Sequence, residues 1–592
     1  MSTSHSPESS HRIPTRREAL VFRAKSFGLQ TKRYFSDSFD RKVRSHAKSN
    51  SLQNQPLVAE SKTKLWTEIE PEERYLVAGK IQNLRVAAAA LNGLEVPAGE
   101  IFSFWKHVGR TTASRGFVEG RELREGCIIP NIGGGLCQLS NALYDAALKA
   151  NFEILERHAH TQTIAGSLAE QGRDATVFWN YVDLRFRSAV PIRIEAGMTS
   201  DHLLVKFRGK KQERPTLHQI QRNGKVDHVN SCASCGMDDC FRSVKPSADL
   251  DFGKTAFLVD EFSAEFDEYI QSKRTDKDRL FLPLDGQRFK KANYRWNVKG
   301  FADVNQSVFV TALRSMKSRR LAAQGAARQK NLLATYERLA ASYAKKLSFD
   351  VLHVVVQQNL LPYLWQSGQL GGRTFDVLMT AVPISEMQKR LDHAFELHGE
   401  SSTLGDFRAD ENLVAAETEA LKNARRIITP HTAIAELFDG RAEVLPWKSP
   451  KVDASSKSEN AIPTIVFPAT TVGRKGCYEL REAIRGMNVR LVTLGPCIES
   501  SDFWDGFNVE RGGDDWLSIA DLVVLPAFVE HKPTRLLRAN TAGVPVIASS
   551  ACGVTNVEGI TIFEAGDAVA LREAIEAVLE PQATRNTEAV AA

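Results

Sequence analysis

The sequence lacks any apolar run long enough to cross a lipid bilayer. Such a span needs about 20 consecutive apolar residues, and no window of the 592 residues approaches that length. The first residues also lack the apolar core and small-residue cleavage site of a secretory signal. We therefore expect a protein that stays in the cytoplasm.

Cysteine is scarce as well, with eight residues in the whole chain. This is too few for a disulfide scaffold in a protein of this size, so we expect reduced thiols, as in a cytoplasmic compartment. The chain is also too long for a single hydrophobic core, and division into about two to four domains is expected.

Outside residues 1–50, the chain carries no net positive charge. Residues 1–50 hold eleven Lys or Arg and four Asp or Glu, so the total of +6 consists of +7 from this segment and −1 from the remainder. A Ser-rich, basic composition predicts a disordered tail over residues 1–64. Within it, REALVFRAKSFGLQTKRYF mixes apolar and basic residues, as in a helix lying on an anionic membrane. A solvated basic arm is the alternative, and no nucleic-acid partner is expected.

The remaining chain divides into four parts. Residues 65–210 have the pattern of a compact α+β module, and residues 211–250 form a polar linker with three cysteines. From residue 251, short apolar strands alternate with helical patterns, which is typical of α/β folds. A polar break near 447–461 separates a first lobe, 251–446, from a second lobe with its C-terminal tail, 447–592.

A cysteine follows three glycines at the start of a helical pattern. In NIGGGLCQLSNALYDAALKA, apolar residues recur at helical spacing after Cys137. A cysteine in the first turn of a helix feels the positive end of the helix dipole, which lowers the thiol pKa. Glycines let backbone N–H groups approach a substrate carbonyl. Cys137 is therefore a candidate nucleophile, while a binding pocket made by the same residues and a buried structural cysteine are the alternatives.

Two histidines and an aspartate downstream could assist this thiol. His158 and His160 are two residues apart, so both would project from one face of a strand. Asp174 follows in an alternating, strand-like segment. A thiolate nucleophile needs a base, and the base needs an orienting group. We expect Cys137 to open to a cleft, with one of the histidines in reach and oriented by Asp174.

Four separated blocks in this region resemble the VanW-like family of bacteria. They are VPAGEIFSFWKHVG, GGGLCQLSNALYDAAL, ERHAHT and GRDATVFWNYVDLRFR. The resemblance covers about residues 65–210 and implies a cell-envelope context, without implying a particular reaction. The matching positions are Cys137, Gln138, Ser140, His158, His160 and Asp174.

The linker contains a candidate metal site. In HVNSCASCGMDDCFR, two cysteines have the Cys-x2-Cys spacing of many zinc sites. A redox pair and unliganded thiols are the alternatives. The expected zinc ligands are His228, Cys232, Cys235 and Cys240.

The second half of the chain resembles the GT-B glycosyltransferases, which have two Rossmann-like lobes and bind a sugar nucleotide between them. The segment IADLVVLPAFVEHKPTRLLRANTAGVPVIAS is similar to the donor-binding segment of the enzymes that retain anomeric configuration. The resemblance places Lys475 and Glu530 at donor-binding positions. Arg538 replaces a second glutamate and Thr470 replaces an arginine, so two of four expected ligands differ. Arg538 could bind the diphosphate instead.

The first lobe supplies further candidate pocket residues. FDVLHVVVQQNLLPYLW is a strand whose end presents Gln358 and Asn359, and His431 lies at the end of another strand. Ligands bind beyond the carboxyl ends of strands in open α/β sheets.

The sequence therefore predicts a multidomain α/β protein, in which a VanW-like α+β module precedes a two-lobed GT-B domain. We expect transfer of a sugar from a nucleotide donor to a glycan or lipid-linked acceptor, in envelope or exopolysaccharide biosynthesis. The expected location is the cytoplasm, with peripheral contact at the inner membrane. The alternative is a non-catalytic envelope-associated scaffold with a degenerate glycosyltransferase domain.

Overall fold

The computed structural model describes residues 15–39, 43–66, 73–124, 127–160, 167–212, 230–231, 253–321, 325–450, 452 and 462–590. The chain divides into two compact units. Unit 1 comprises Met1–Lys254, Ser348–Leu352 and Ser367–Arg373, and unit 2 comprises Thr255–Leu347, His353–Gln366 and Thr374–Ala592.

Unit 1 is an α+β module with short, mostly antiparallel sheets. Its elements are α1 (Arg16–Phe39), β1 (Leu57–Lys64), α2 (Arg74–Leu91), β2 (Leu94–Val96), β3 (Ile101–Ser103), α3 (Phe104–Val108), β4 (Glu119–Arg124), β5 (Cys127–Ile132), α4 (Cys137–Lys149), β6 (Glu153–Glu156), β7 (Arg185–Arg187), β8 (Ile192–Met198), β9 (His202–Gly209) and β10 (Asn230–Ser231).

The main sheet of unit 1 has the order β1-β9-β8-β2, and all its pairs are antiparallel. Strand β9 alternates strictly, with Leu203, Val205 and Phe207 buried on one face. Helices α2 and α4 pack on this sheet and bury their apolar faces in one common core. Two three-stranded sheets, β3-β7-β6 and β10-β5-β4, complete the unit.

The first part of the chain differs from the expected disordered tail. Strand β1 pairs with β9 from Leu57 to Lys64, so this segment is an edge of the main sheet. Helix α1 packs on the same unit, since Phe22 stacks edge-on against Phe178 at 6.0 Å between ring centroids. These residues are ordered because they have long-range partners that a local composition does not reveal.

Unit 2 alternates strands and helices throughout. Its first lobe contains β11 (Lys254–Leu258), α5 (Ala264–Lys273), β12 (Arg279–Leu282), β13 (Asp303–Gln306), α6 (Val308–Ser318), α7 (Ala326–Ala344), β14 (Val351–Gln357), α8 (Leu361–Gln366), β15 (Thr374–Leu378), α9 (Ile384–Leu397), α10 (Glu411–Asn423), β16 (Arg426–Thr429), α11 (Thr432–Ala435) and β17 (Ala442–Val444). Its second lobe contains β18 (Thr464–Phe467), α12 (Cys477–Ala483), β19 (Arg490–Thr493), β20 (Val509–Arg511), α13 (Trp516–Ile519), β21 (Leu522–Leu525), α14 (Thr534–Thr541), β22 (Val546–Ser549), β23 (Ile560–Phe563) and α15 (Ala568–Val590).

Each lobe of unit 2 is built on one parallel sheet. The sheet orders are β13-β12-β11-β14-β15-β16-β17 and β20-β19-β18-β21-β22-β23. In both, the first strand is central, the next two lie on one side and the others on the opposite side, which is the order of dinucleotide-binding folds. The expected α/β class with two parallel-sheet lobes is therefore confirmed. Ligands of such sheets bind where the strand order reverses, beyond the carboxyl ends of the central strands.

In the part of the chain that the structure describes, no helix has the length and apolar character needed to span a membrane.

Candidate functional site

The turn before Cys137 has glycines for reasons of geometry and packing. Gly133 and Gly135 have φ angles of 84° and 93°, in the left-handed region that glycine favours. A Cβ atom on Gly134 would lie 2.3 Å from the carbonyl oxygen of Gly120, and one on Gly135 would lie 2.1 Å from Cγ of Lys80. The turn therefore fits tightly against its neighbours and fixes the start of α4, whose first residue is Cys137.

His160 and Asp174 form a closely bonded pair beside this helix. The Nδ1–H of His160 donates to Oδ1 of Asp174 at 2.6 Å, and the backbone N–H of His160 donates to Oδ2 at 2.5 Å. Asp174 is completely buried, whereas the His160 side chain remains 20% exposed. Because Asp174 holds both the backbone and the ring of His160, it fixes the orientation of the imidazole and leaves Nε2 available.

Cys137 and His160 interact electrostatically. Burial opposes ionisation of the thiol, but the hydrogen bond and the positive charge of His160 outweigh it and lower the pKa of Cys137 below its usual range. Burial also opposes the charged imidazole, yet the hydrogen bonds with Asp174 and Cys137 and their charges raise the pKa of His160 to about 10. The two shifts agree with each other, because each charged group stabilises the other. Both shifts favour the charged pair, a thiolate beside an imidazolium.

Hydrogen bonds fix the helix to the segment that carries Asp174. Ser140 Oγ donates to the carbonyl oxygen of Ala175 at 2.5 Å, and the N–H of Ala175 donates to Oδ1 of Asn141 at 2.7 Å. Sγ of Cys137 lies 3.6 Å from Oγ1 of Thr176. Asn141 and Thr176 were not among the expected site residues; Asn141 shares a helix face with Cys137, whereas nothing in the local sequence marks Thr176.

His158 does not take part in this arrangement. Its side chain is half exposed and its Nε2 lies 3.3 Å from Oε1 of Glu156. The carbonyl oxygen of His158 instead accepts from the N–H of Thr176 at 2.8 Å, which joins the two extended segments. Gln138 donates through Nε2 to Oγ1 of Thr63 and to the carbonyl oxygen of Lys64, at 2.9 and 2.7 Å. The structure thus brings together Cys137, His160 and Asp174.

Unit 2 contains a cavity of about 320 Å³ in its second lobe, beyond the carboxyl ends of β18 and β21. The amino terminus of α14 lines it, and the positive end of the helix dipole favours an anion there. Four basic side chains line the cavity: Arg474, Lys475, Lys532 and Arg535. This concentration of positive charge suits an anion such as a diphosphate.

Glu530 is the acidic residue of this cavity. Its Oε2 accepts from Nζ of Lys475 at 2.7 Å, and its Oε1 accepts from the backbone N–H groups of His531 and Lys532 at 2.9 and 3.0 Å. Burial opposes its ionisation, but the charge and hydrogen bond of Lys475 lower the pKa of Glu530 below its usual range. Glu530 is therefore an ionised acceptor in a fixed position.

Arg538 lies elsewhere on α14. Its guanidinium carbon is 5.9 Å from the ring centroid of Trp516, in a cation–π contact. Arg535, one turn earlier, lines the cavity instead and donates to the carbonyl oxygen of Pro468 at 2.8 Å. The resemblance had pointed to Arg538, whereas Arg474, Lys532 and Arg535 were missed. For Lys532 and Arg535, the signal in the sequence was the cluster of basic residues after Glu530. Thr470 also lines the cavity.

The candidate residues of the first lobe have separate roles. Gln358 is buried and donates to Oε1 of Glu417 at 2.9 Å, so its amide points inward. Asn359 donates to Oδ2 of Asp260 at 2.7 Å, and Asp260 forms an ion pair with Arg314 at 2.7 Å. This cluster stands at the carboxyl ends of β11 and β14.

Charged side chains connect this cluster with the second lobe. Glu261, which follows Asp260, lies 3.8 Å from Nζ of Lys532. Glu261 also pairs with Arg314 at 3.0 Å. Glu261 is therefore a first-lobe group that contacts a residue of the cationic cavity, while Asp260 holds the neighbouring Arg314, and neither was singled out from the sequence.

His431 is completely buried and contacts the backbone of the cavity residue Glu530. Its Nε2–H donates to the carbonyl oxygen of Glu530 at 2.9 Å. Burial lowers the pKa of His431 to about 4, so the ring is neutral at physiological pH. A Cβ on Gly553 would lie 2.0 Å from the Nδ1 of this ring, so glycine is required there. His431 therefore positions Glu530 and does not itself line the cavity.

The expected zinc ligands His228, Cys232, Cys235 and Cys240 lie outside the described residues. Among the residues that are described, no three His, Cys, Asp or Glu side chains form a group that could hold a metal ion. Nothing in the described part of the chain supports zinc.

Two family models match the chain. Residues 79–208 match the family described as VanW like protein, and residues 508–589 match the one described as Glycosyl transferases group 1. The chain joins a VanW-like region to a glycosyltransferase-like region. Cys137, His160 and Asp174 fall within the first match, and Glu530 with the cavity residues of α14 falls within the second.

Curated relatives match the VanW-like region. The uncharacterized protein YoaR of Bacillus subtilis is 34% identical over 142 residues, which cover 24% of this chain and 46% of that protein. The vancomycin B-type resistance protein VanW of Enterococcus faecalis is 29% identical over 153 residues, which cover 25% of this chain and 56% of that protein. The chain thus spans about half the length of these relatives.

Solved structures similar to the glycosyltransferase-like region include a sucrose-phosphate synthase from Thermosynechococcus elongatus, with 14% identity and a TM-score of 0.36 over 55% of this chain and 90% of that one. The Anabaena protein HepE in complex with UDP-glucose has 13% identity and a TM-score of 0.35 over 56% of this chain and 90% of that one. At this level of identity the likeness concerns the fold alone.

Proposed function

We propose that unit 2 transfers a sugar from a nucleotide donor to a glycan or lipid-linked acceptor. The observation that carries this proposal is the cavity beyond β18 and β21, in which four basic side chains surround one ionised carboxylate. The basic groups would hold the donor diphosphate by charge-assisted hydrogen bonds. Glu530 would accept hydrogen bonds from sugar hydroxyls, because its carboxylate is an acceptor in a fixed position. Retention of anomeric configuration is part of the proposal and rests on the resemblance of residues 519–549.

The exchange of a glutamate for Arg538 does not weaken the proposed diphosphate site. Arg538 is engaged with Trp516, and Arg535 supplies the cation on the cavity side of α14. The ribose partner that the glutamate would provide is missing from that helix position. Glu261 of the first lobe is a carboxylate 3.8 Å from Nζ of Lys532 and could accept from the nucleotide sugar.

A panel of uridine and guanosine diphosphate sugars tests the activity. We expect release of free nucleotide in the presence of an envelope glycan or lipid-linked acceptor extract. Arg535→Ala should weaken donor binding about tenfold or more, because a charge-assisted hydrogen bond contributes about 1.5–3 kcal/mol. Arg538→Ala is the matched control on the same helix and should leave donor binding within about twofold. Binding that stabilises the protein without any turnover would favour the scaffold alternative.

The envelope or exopolysaccharide setting is also proposed. It is supported by the VanW-like region, since one relative of that region is named for vancomycin resistance, a property of the bacterial envelope. Helix α1 supports a location at the inner membrane. Its basic residues Arg16, Arg17, Arg23, Lys25 and Lys32 are exposed, which would favour a surface of anionic lipids on the cytoplasmic side.

Most of the large apolar side chains of α1 are exposed, whereas Phe22 packs against Phe178. Leu20, Phe27 and Phe39 are 69%, 71% and 83% exposed. The side that packs on the unit carries Phe22 together with polar groups: Arg33 pairs with Glu156, and Asp37 accepts from Arg185. An ordinary surface helix turns its apolar side to the core, whereas most of the large apolar side chains of α1 are exposed. Apolar groups flanked by cations fit an anionic bilayer surface.

Co-sedimentation with vesicles tests this contact. We expect the protein to bind vesicles containing phosphatidylglycerol and to bind pure phosphatidylcholine vesicles much less. The double variant Leu20→Ser, Phe27→Ser should reduce binding about tenfold or more, since it removes two apolar groups from the interface. Phe309→Ser, at a side chain 76% exposed in unit 2, is the control. Equal losses for both variants would contradict a role of α1.

A thiol-based activity of unit 1 completes the proposal. It is favoured by the position of Cys137 at the start of α4 beside the bonded pair of His160 and Asp174.

A further inference from the structure

We propose that the Cys137 site of unit 1 is an acyl-transfer site that cleaves a carboxamide bond through a thioester on Cys137. This inference rests on the proposed thiol-based activity and names its reaction and substrate class. It is independent of glycosyl transfer in unit 2.

The three side chains have separate tasks that fit this reaction. Cys137 supplies the nucleophile, His160 is the acid and base, and Asp174 is a positioning residue that holds His160. Because Nδ1 of His160 is bonded to Asp174, the remaining nitrogen, Nε2, is the one that serves the sulfur and the leaving group. A simple redox thiol has no need for such a fixed proton donor.

The start of α4 can stabilise the charge that develops on the substrate oxygen. The N–H groups of Gln138, Leu139 and Ser140 donate to the carbonyl oxygens of Gly135 and Leu136, so they are already engaged. Cys137 is the first residue of the helix, and its own backbone N–H, on the residue that carries the sulfur, is the donor we assign to the carbonyl under attack. The tight fit of Gly134 and Gly135 against their neighbours keeps this N–H in place. Preorganised donors of this kind stabilise the tetrahedral intermediate.

The reaction balances without any further reagent except water or an amine. The Cys137 thiolate adds to the carbonyl carbon of the amide, and the carbon–nitrogen bond then breaks. The proton on Nε2 of His160 passes to the departing amine, leaving a thioester on Sγ and a neutral imidazole. Water or a second amine then attacks the thioester while His160 takes its proton, and the thiolate and imidazolium are restored.

The pair of charges points to amides rather than to activated esters. An amine leaves only when it is protonated, whereas an activated ester can lose its alcohol or phenol without an acid. The Nδ1–H of His160 donates to the buried carboxylate of Asp174 at 2.6 Å, which stabilises the charged ring and makes His160 a suitable proton donor, in agreement with its raised pKa of about 10. Cys137 as a residue is partly buried and the His160 side chain is 20% exposed, so the imidazole is the part of the site that solvent reaches.

Alkylation by iodoacetamide at different pH values tests the underlying thiol-based activity in the full chain. The charged groups at this site are the His160 ring, Asp174 bonded to it, and Arg157, which donates to the carbonyl oxygen of Asp174 at 2.6 Å. We expect modification of Cys137 to be half-maximal well below the ordinary thiol pKa of about 8.5. His160→Ala should slow it about tenfold or more at pH 7, since the thiolate loses its counter-ion. A value of about 8.5 or above overturns both the thiol-based activity and the acyl transfer.

Acylation tests the further inference by itself. The p-nitroanilide and p-nitrophenyl ester of acetic acid are used as probes, and intact-mass analysis locates the adduct. We expect an acetyl adduct on Cys137 with both probes, its absence in Cys137→Ser, and an unchanged adduct in Cys497→Ser, an exposed cysteine of unit 2. A reactive thiolate that forms no acetyl adduct overturns acyl transfer while the thiol-based activity stands. An adduct from the ester alone overturns the assignment to amides.

Discussion

Replacing Asp174 with Asn should lower the pKa of His160 and thereby raise that of Cys137. The carboxylate accepts two hydrogen bonds from His160, from Nδ1–H at 2.6 Å and from the backbone N–H at 2.5 Å. An amide has one acceptor oxygen, so it can keep only one of these bonds and must direct its NH₂ group at the other donor. The charge that stabilises the imidazolium is lost in either case.

The size of the effect follows from the bonds that are removed. A hydrogen bond to a charged group contributes about 1.5–3 kcal/mol, and one pKa unit corresponds to about 1.4 kcal/mol. Asp174→Asn should therefore lower the pKa of His160 by about one to two units from its value near 10. Since the imidazolium and the thiolate stabilise each other, the pH at which Cys137 reacts half-maximally should rise.

Two measurements check this chain of causes. Histidine labelled with ¹³C at Cε1 reports the His160 titration by NMR, and the iodoacetamide rate reports the thiolate of Cys137. Asp145→Asn is the matched control, because Asp145 is a buried aspartate on α4 that pairs with Lys149 at 2.7 Å. An unchanged His160 titration in Asp174→Asn would refute the argument, as would an equal change in the control.

Two further results are expected. Burial raises the pKa of Glu417 in the folded state to about 7, so the protonated form is favoured there and stability is lost as the pH rises from about 4.5 to 7. Relative to the wild type, Glu417→Gln should therefore gain about 2–3 kcal/mol in unfolding free energy between pH 5 and pH 8, measured by urea denaturation; a difference that does not vary with pH would exclude this. Gly134→Ala should destabilise unit 1 by about 3 kcal/mol, because its Cβ would meet the carbonyl oxygen of Gly120 at 2.3 Å. Gly197→Ala, where nothing lies within 4 Å, should change stability by less than about 1 kcal/mol in the same assay.

Local patterns were sufficient to predict the folds of unit 2. Buried strands such as Thr464–Phe467 and Leu522–Leu525 are short apolar runs between helical segments, which is how parallel sheets appear in a sequence. The start of α4 at Cys137 could also be predicted, because glycines precede a segment with helical spacing. These features depend on neighbours in the chain.

Other features depend on partners that are far apart in the sequence. Strand β1 appears polar, as LVAESKTK, and is ordered because it pairs with the distant strand β9, from Leu57 with Arg208 to Lys64 with His202. His431 was expected in a pocket because it ends a strand. It is buried because Gly553, in the other lobe, leaves room for its ring. The type of a residue and the pattern of its neighbours do not show which distant residues it will pack against.

Helix α14 shows that a residue at the family's donor-binding position in the sequence need not line the cavity in the structure. Arg535 and Arg538 are separated by less than one helical turn, so both lie on neighbouring parts of the helix surface. The rotation of the helix about its axis decides which of them faces the cavity, and this rotation depends on packing of Leu536 and Leu537 into the core. Only Arg535 reaches the cavity side, while Arg538 is drawn to Trp516.

The glycines before Cys137 have a further consequence for the proposed chemistry. They were expected to give a substrate access to the backbone, but two of them instead allow contact with Gly120 and Lys80 inside the unit. A flexible turn would let the sulfur move away from His160, and small displacements of reacting groups are costly for catalysis. A turn that is packed on both sides holds the first residue of α4 still. Glycines usually make a turn flexible, but here their close packing fixes the position of Cys137. A nucleophile that works with a fixed acid and base needs such a fixed position.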